Sequence, residues 1–395
     1  MRWFSQTISV IGLGLRSLPQ RLGPSIVAVV GITGVVVTFV AVLSIAEGFN
    51  AAMSNAGSPD TAIVLRAGSN AELNSALPVE ATRVITDAPG IRRGERGPMA
   101  SPELFVIIDV PKKSSGTDAN VPMRGVQASA FEVRPEVRIV EGRAFTPGTN
   151  EVVVGRGAAA LFEGLEVGQT KRWGEATWSV VGVFEADGTV VESEIWSDAA
   201  VLQSSYRRGS TFQSVVARLD SAEAFQQFKD SLTTDPRLDV QVERETDYYS
   251  SQSAQVRAII TGIGTIIAVL MGIGAVFGAV NTMYNAVATR TREIATLRAL
   301  GFRASSVVIS VMMESALLAV VGGVIGGGVA YLVFHGFQTA TMNWETFSQV
   351  TFTFTVTPAL LVQGALYALV MGLVGGFFPA IRAARLPIVT ALREL

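Results

Sequence analysis

Four long apolar runs, at 25–46, 258–284, 307–334 and 359–381, dominate the pattern of hydrophobic and polar positions along the chain. Each reaches the roughly 20 residues that a helix needs to cross the hydrocarbon core of a bilayer. Three carry no charge, and the run at 307–334 carries one, Glu314. The run at 25–46 is longer than the roughly 7–15 apolar residues of a signal peptide, which predicts a retained span. The first residues, 1–24, alternate apolar and basic positions and predict a helix lying on the membrane surface.

Between the first two runs the pattern changes to short β-prone stretches bounded by Gly, Pro, Asp and Asn. "TAIVLRA", "ELFVIIDV", "EVVVG" and "TWSVVGVFE" predict strands. "FQSVVARLD", "AEAFQQFKDSL" and "LDVQVERE" predict strand, helix and strand, with Ser221 as the helix cap. "PKKSSGTDANVP" at 111–122 has the composition of an exposed loop tip. The fold class that follows is an α-helical membrane bundle of four transmembrane helices. A large extracytoplasmic α+β domain, 47–257, is inserted between helices 1 and 2.

Arginine placement orients the chain. Arg2, Arg16 and Arg21 precede the first span, Arg290, Arg292, Arg298 and Arg303 lie in the 285–306 loop, and Arg382, Arg385 and Arg393 lie in the 382–395 tail. The 335–358 loop has neither lysine nor arginine. Both termini and the 285–306 loop are therefore expected on the cytoplasmic side, and 47–257 and 335–358 on the other.

Composition narrows the chemistry. Apolar residues make up 49% of the chain and charged residues 16%, a mixture that fits spans joined to a water-facing domain. The formal net charge of −2 gives no argument for nucleic acid as a partner. The chain has no cysteine and one histidine, His335. A thiolate site, a histidine triad and a multi-histidine metal site are thereby excluded. Acidic residues are scattered as on a solvated surface, and no pair stands out as catalytic, so no cofactor, metal or catalytic residue is expected in this chain.

The glycines read as packing rather than phosphate binding. No glycine-lysine-serine or glycine-lysine-threonine sequence occurs, and none of the glycine clusters follows a strand and opens a soluble helix. Gly274 and Gly278, Gly322 and Gly326, Gly323 and Gly327, and Gly372 and Gly376 are each four apart inside apolar runs. That spacing stacks small surfaces on one helix face and lets helices approach closely, within the bundle or at a dimer seam. Glu314 is expensive in lipid and is expected to tie to Arg298, Arg303 or a neighbouring helix end, because no second carboxylate or histidine accompanies it in a span.

The stretch "NAVATRTREIATLRALGF" interrupts the apolar text. Val287, Ile294, Leu297 and Leu300 form a stripe, Arg290 and Glu293 are spaced to pair, and Gly301 is placed to stop the helix. A short amphipathic cytoplasmic helix over 286–300 is predicted.

At these residues the chain resembles the MacB/FtsX-type ABC permease family. The resemblance rests on Arg290, Arg292-Glu293-Ile294 and Arg298-Ala299-Leu300-Gly301, with Ala295 standing where the family usually has glycine. Glu314, the closing pattern Pro379, Arg382, Pro387, Ala391, Leu392 and Arg393, and "EGRAFTPGTNEVVVGRGAAALFEGLEVGQ" followed by "WSVVGVFE" extend it over nearly the whole chain. It implies a bacterial inner-membrane permease subunit that works by mechanotransmission, with ATP and Mg bound by a separate ABC ATPase dimer and with spans one and two continuing outward as stalks, through "EGFNAAMSNAG" and "TDYYSSQSAQVR", at the ends of 47–257.

The family likeness makes 286–300 a coupling helix, with Arg290, Arg292, Glu293, Ile294, Leu297, Arg298 and Gly301 meeting the ATPase and the apolar stripe seated in its groove. It also implies a second permease, the same chain or a paralogue, and leaves open a periplasmic adaptor, with membrane lipid as surroundings. Two roles follow: export or extraction of an amphipathic substrate (lipid, lipoprotein, peptide or drug), or FtsX-like transmembrane signalling to a periplasmic enzyme. The large inserted domain favours export.

Overall fold

The computed structural model describes residues 6–8, 10–12, 22–95 and 97–388. Residues 6–8 and 10–12 are helical. The rest of the expected surface helix, and Ala391, Leu392 and Arg393 of the tail, lie outside the described residues. The chain divides into two compact units. One comprises Met1–Ala46, Ile259–His335 and Thr355–Leu395, and the other comprises Glu47–Ala258 and Gly336–Phe354.

The first unit is helical. Among the described residues, four helices are long and apolar enough to cross a membrane. They run Leu22–Ser54, Glu245–Ala288, Ala304–Phe334 and Pro358–Ala384. The first two extend well past the apolar runs into polar sequence and enter the second unit. The fourth starts where Thr357 accepts a hydrogen bond from the Leu360 N–H and Pro358 occupies the first turn, a position that needs no N–H partner. Its packing against Ala304–Phe334 is close because the contacts are small. Adding a Cβ to Gly323 would bring it 2.9 Å from the Ala368 Cβ, and one on Gly376 would lie 2.6 Å from the Ser315 Cβ.

The second unit is built on a ten-stranded sheet. From one edge its order is Val240–Arg244, Thr61–Arg66, Ser214–Arg218, Ala100–Pro111, Asp118–Val126, Ile195–Asp198, Glu151–Gly155, Ala176–Glu185 and Arg138–Gly142, with Thr170–Trp173 paired to Ala176–Glu185. The Asp118–Val126/Ile195–Asp198 and Glu151–Gly155/Ala176–Glu185 pairs are parallel. The long strand Ala100–Pro111 bridges two cores. One gathers Val64, Ile85, Val215, Phe228 and Val242 beneath the helix Ala224–Thr233. The other gathers Leu104, Val106, Met123, Val154, Trp178 and Ile195.

The strand–helix–strand prediction at 212–245 matches Ser214–Arg218, Ala224–Thr233 and Val240–Arg244. The cap differs: Glu223 occupies the N-cap position, and Ser221 lies a turn earlier with its carbonyl accepting from the Ala224 N–H. The 335–358 loop is not a bare connection. It folds as a hairpin, Gln338–Asn343 with Ser348–Thr353, and belongs to the sheet-containing unit. There Asn120 donates to the Phe347 carbonyl, and Ser193 Oγ accepts from the Thr351 N–H.

Candidate functional site: a charged helix between two spans

The charged helix spans Thr291–Ala299, shorter than expected, because residues 286–288 still belong to the long helix before it. Gly301 follows its end with φ +91°, a left-handed conformation that terminates helices at little cost in glycine. The Gly301 N–H returns to the Arg298 carbonyl.

The helix has two chemically distinct sides. Ile294 and Ala295 are buried, and Ile294 with Val287 packs among Met283, Val307, Val311, Ala380 and Ala383. The apolar stripe therefore packs largely within this chain. This corrects the expectation that Ile294 seats in another protein's groove: an apolar side chain so placed is already out of water and has no free surface to offer. Leu297 and Arg298 are half-buried, and Arg298 donates to the Ala384 carbonyl. Arg292, Glu293, Thr296, Ala299 and Leu300 are exposed, Leu300 to 72%.

Arg290 anchors this geometry. It precedes the helix, is buried, and reaches Glu293 at 3.4 Å as the spacing predicts. Its stronger partner is Glu314, at 2.9 Å between Nη1 and Oε2. Of the partners expected (Arg298, Arg303 or a neighbouring helix end), Glu314 ties to the last: Arg290, at the start of the helix Thr291–Ala299. Glu314 is about three turns into its helix, and its side chain leans back toward the helix start, where Arg290 enters. The ion pair joins the charged helix to the Ala304–Phe334 helix in surroundings where either charge alone would be costly.

The glycine pairs take different places. Gly322 and Gly326 face Ile32, Thr33 and Val36 of the first long helix, while Gly323 and Gly327 face Ala368, Ala365 and Leu361 of the fourth. Two interleaved four-residue spacings thus serve two neighbours. Gly372 meets Ala319, and its carbonyl accepts from Ser315 Oγ at 2.6 Å. Gly274 and Gly278 differ: no atom lies within 4 Å of an added Cβ, so among the described residues they pack against no helix of this chain.

A second charged constellation escaped sequence reasoning. Arg124 and Arg134 of the inserted domain are 2% and 1% exposed and sit among Glu72, Glu103, Glu194 and Glu245, all buried. Strand geometry assembles its centre, and helical elements add Glu72, Arg134 and Glu245. Phe105, Arg124 and Trp196 are register partners across three adjacent strands, so they share one sheet face with Glu103 and Glu194, two residues away along their chains. Arg124 makes paired hydrogen bonds to Glu72 (2.6 and 2.9 Å) and to Glu194 (2.8 and 2.8 Å), plus one to Glu103 at 2.9 Å. Arg134 bonds Glu103 at 2.7 Å and Glu245 at 3.0 Å. Ser214 and Trp196 donate to Glu72 and Glu194.

Burial opposes the charge on Arg124, but Glu194, Glu72 and Glu103 outweigh it and hold the guanidinium well above its ordinary pKa. Burial likewise works to raise the pKa of Glu72, and Arg124 with Ser214 overcomes it and lowers it. The acidic residues that looked scattered over a solvated surface are therefore in part an internal network. The available signal was a charge inside a β-prone run, Glu103 in "ELFVIIDV" and Arg124 in "VPMRGV".

This network also fixes helix ends. Glu245 opens the Glu245–Ala288 helix, where a carboxylate complements the helix dipole. Gly57, just beyond Ser54 at the end of the first long helix, has φ +78° and would place a Cβ 2.8 Å from the Glu245 side chain. Arg257–Glu47 at 3.6 Å and Ser253 Oγ–Asn50 Oδ1 at 3.3 Å link the same two helices within this unit.

Four spanning-length helices, a large α+β insertion between the first two and a charged helix between the second and third define a membrane permease architecture. The chain belongs to the MacB/FtsX-type ABC permease family: the MacB-like periplasmic core domain matches residues 25–235, more than half of the chain, and the FtsX-like permease C-terminal domain matches 265–388. It is 26% identical over 335 residues to the macrolide export ATP-binding/permease protein MacB 1/2 of Paracoccus denitrificans, covering 79% of this chain and 48% of that protein. It is 26% identical over 298 residues to the ABC transporter permease YknZ of Bacillus subtilis, covering 70% of each. The chain thus spans about half the length of the Paracoccus protein. The solved extracellular domain of YknZ aligns with 46% of this chain at 16% identity and a TM-score of 0.36.

Proposed function

We propose that this chain is the membrane subunit through which an ABC ATPase, binding ATP and Mg, drives an extracytoplasmic domain, and that its cargo is amphipathic. The observation that carries the reading is the two-sided helix Thr291–Ala299. Its inner side is locked to the membrane unit by Ile294 and the Arg290–Glu314 pair, and its outer side offers Arg292, Glu293 and, just past its end, Leu300. A rigid inner attachment with an exposed charged outer face is what force entry from another protein requires. Charges at such a rim set orientation and specificity.

The reading places the termini and 285–306 in the cytoplasm and 47–257 outside. Motion imposed on Thr291–Ala299 passes to the long helices as a rigid-body shift. The outer ends of two of those helices are fastened to the sheet by Glu245 and its neighbours. Two permeases, identical or paralogous, act on an ATPase dimer, and the exposed face of Gly274 and Gly278 suits a close helix contact between them. Cargo is lipid, lipoprotein, peptide or drug; the relatives' name, macrolide export, supports the drug class among these.

The test is charge reversal and apolar removal on the outer face, Arg292→Glu with Leu300→Asp, in the full chain expressed with its ATPase. The expected result is loss of ATPase co-purification and of cargo-stimulated ATP hydrolysis, with the permease still folded in the membrane. Full ATPase association and unchanged stimulation in the double variant would overturn the assignment.

A further inference from the structure

A groove of about 440 Å³ opens in the sheet-containing unit, and its lining shares no residue with either charged constellation. Its walls come from the turn after Ala100–Pro111, the end of the helix Arg156–Leu161, and the strand Gln338–Asn343 with Phe337 before it. Ala160, Leu161, Phe337 and Ala340 give it an apolar lining, and Phe337 is 56% exposed. The volume lies in the range of sites for small ligands, about 300–1,000 Å³, and is too small for a folded partner.

Two lysines stand at this groove in different states. Lys113 is answered: its Nζ bonds Glu166 at 2.9 Å and the Ala159 carbonyl at 2.8 Å. Lys112 is half-buried, and its ammonium has no carboxylate or hydrogen-bond partner among the described residues. No carboxylate is found among the residues that line the groove. Lys112 thus brings a positive charge without a counter-charge to the edge of an apolar trough, where an anionic ligand group would pair with it. A cationic ligand would meet like charge.

We propose that this groove is a binding site for single-chain amphipathic anions, with the carboxylate or phosphate head on Lys112 and the apolar tail along Leu161, Phe337 and Ala340. Its link to transport rests on the permease reading; the binding itself does not. As a cargo subsite, it would serve the members of the amphipathic class that are anions with one extended apolar chain.

The test uses the full chain in an uncharged maltoside detergent without ATPase, so its outcome is independent of coupling. The probe is a diazirine-bearing palmitic acid, compared with the same chain bearing an amine head. The acid is expected to label peptides containing 160–162 and 337–340, with the amine labelling about fivefold less, the scale of one partly exposed ion pair. Lys112→Glu should cut acid labelling about fivefold and favour the amine. Lys112→Arg should retain it, and Lys113→Gln should change it little. Leu161→Trp, which fills the trough, should abolish labelling by either probe. Competition by palmitate identifies a carboxylate head as accepted, and competition by lysophosphatidylglycerol identifies a phosphate head; either supports the site. Labelling that ignores the head group, or that survives both Lys112→Glu and Leu161→Trp in folded protein, would overturn it.

Discussion

Arg124 and Arg292 carry the same guanidinium into opposite circumstances. Arg124 lies on a sheet strand, is 2% exposed, and has its donors taken by three glutamates. Arg292 lies on a nine-residue helix, is exposed, and has no side-chain partner among the described residues. A buried, fully answered charge is bound to one arrangement of its own chain and serves architecture. An exposed, unanswered charge on a rigid support is available to something else. Arg290 stands between these cases, buried like Arg124 but placed where it holds the helix that presents Arg292.

The largest effect is expected where charge is internal. Arg124→Met leaves Glu72 and Glu194 buried without their partner, which costs about 3–5 kcal/mol for a broken buried pair. Thermal unfolding followed by the fluorescence of Trp173, Trp178 and Trp196 should show a much less stable inserted domain. An unchanged midpoint would place Arg124 on the solvated side of the comparison. The next effect is expected at Glu314. Glu314→Gln removes a charge-assisted bond worth about 1.5–3 kcal/mol and leaves Arg290 only the weaker, exposed Glu293 at 3.4 Å. Hydrogen exchange over 287–303 should accelerate, while exchange in the inserted domain stays as it was.

A smaller effect follows from acid. Glu72 is held below its ordinary value of 4.5 because Arg124 outweighs burial, so its stabilising contribution is complete above that value and is lost as pH falls through the lowered one. Glu136, raised chiefly by burial, works in the opposite sense: its contribution is present at low pH and is lost as pH rises. Urea midpoints of the inserted domain should fall between pH 5 and pH 3, and Arg124→Met should flatten that fall. A midpoint that rises toward pH 3 would show that Glu72 does not dominate.

The two constellations also differed in how far the sequence disclosed them. The charged helix was legible because local signals coincide: four arginines and a glutamate between two apolar runs, a pairing distance of three residues, and a glycine stop. Its inner packing was not, because the stripe Val287–Ile294–Leu297 has the same period whether it meets Ala380 and Val307 of this chain or another protein. The Arg290–Glu314 tie required knowing which arginine enters beside the third long helix, a matter of how the connection folds. The Arg124 network was illegible for a further reason. Its six charged members are spread from Glu72 to Glu245; strand register aligns Glu103, Arg124 and Glu194, and three helix ends or short helical turns bring in Glu72, Arg134 and Glu245.

The fold repeats this division. Long apolar runs and β-prone stretches located the spans and most strands, since each signal is contained within its element. The first two long helices run on past the apolar runs into the polar stretches read as stalk ends, although polar helix and polar loop differ little in composition. Gly322, Gly323, Gly326 and Gly327 announced close packing through spacing alone, yet which pair faces the first long helix and which the fourth is a property of the bundle.

The smallest effect on stability carries the most weight for function. Leu300→Asp changes an exposed position and should alter folding by no more than about 0.5 kcal/mol. The chain has no cysteine of its own, so a single cysteine introduced at 300 gives one site for a photoactivated crosslinker. In membranes from cells expressing the full chain with its ATPase, the account predicts ATPase crosslinked at position 300, and none crosslinked from a cysteine placed at the buried position 295. Equal capture from both positions, or none at 300 while the ATPase remains bound, would contradict the claim that the outer face of Thr291–Ala299 is where force enters.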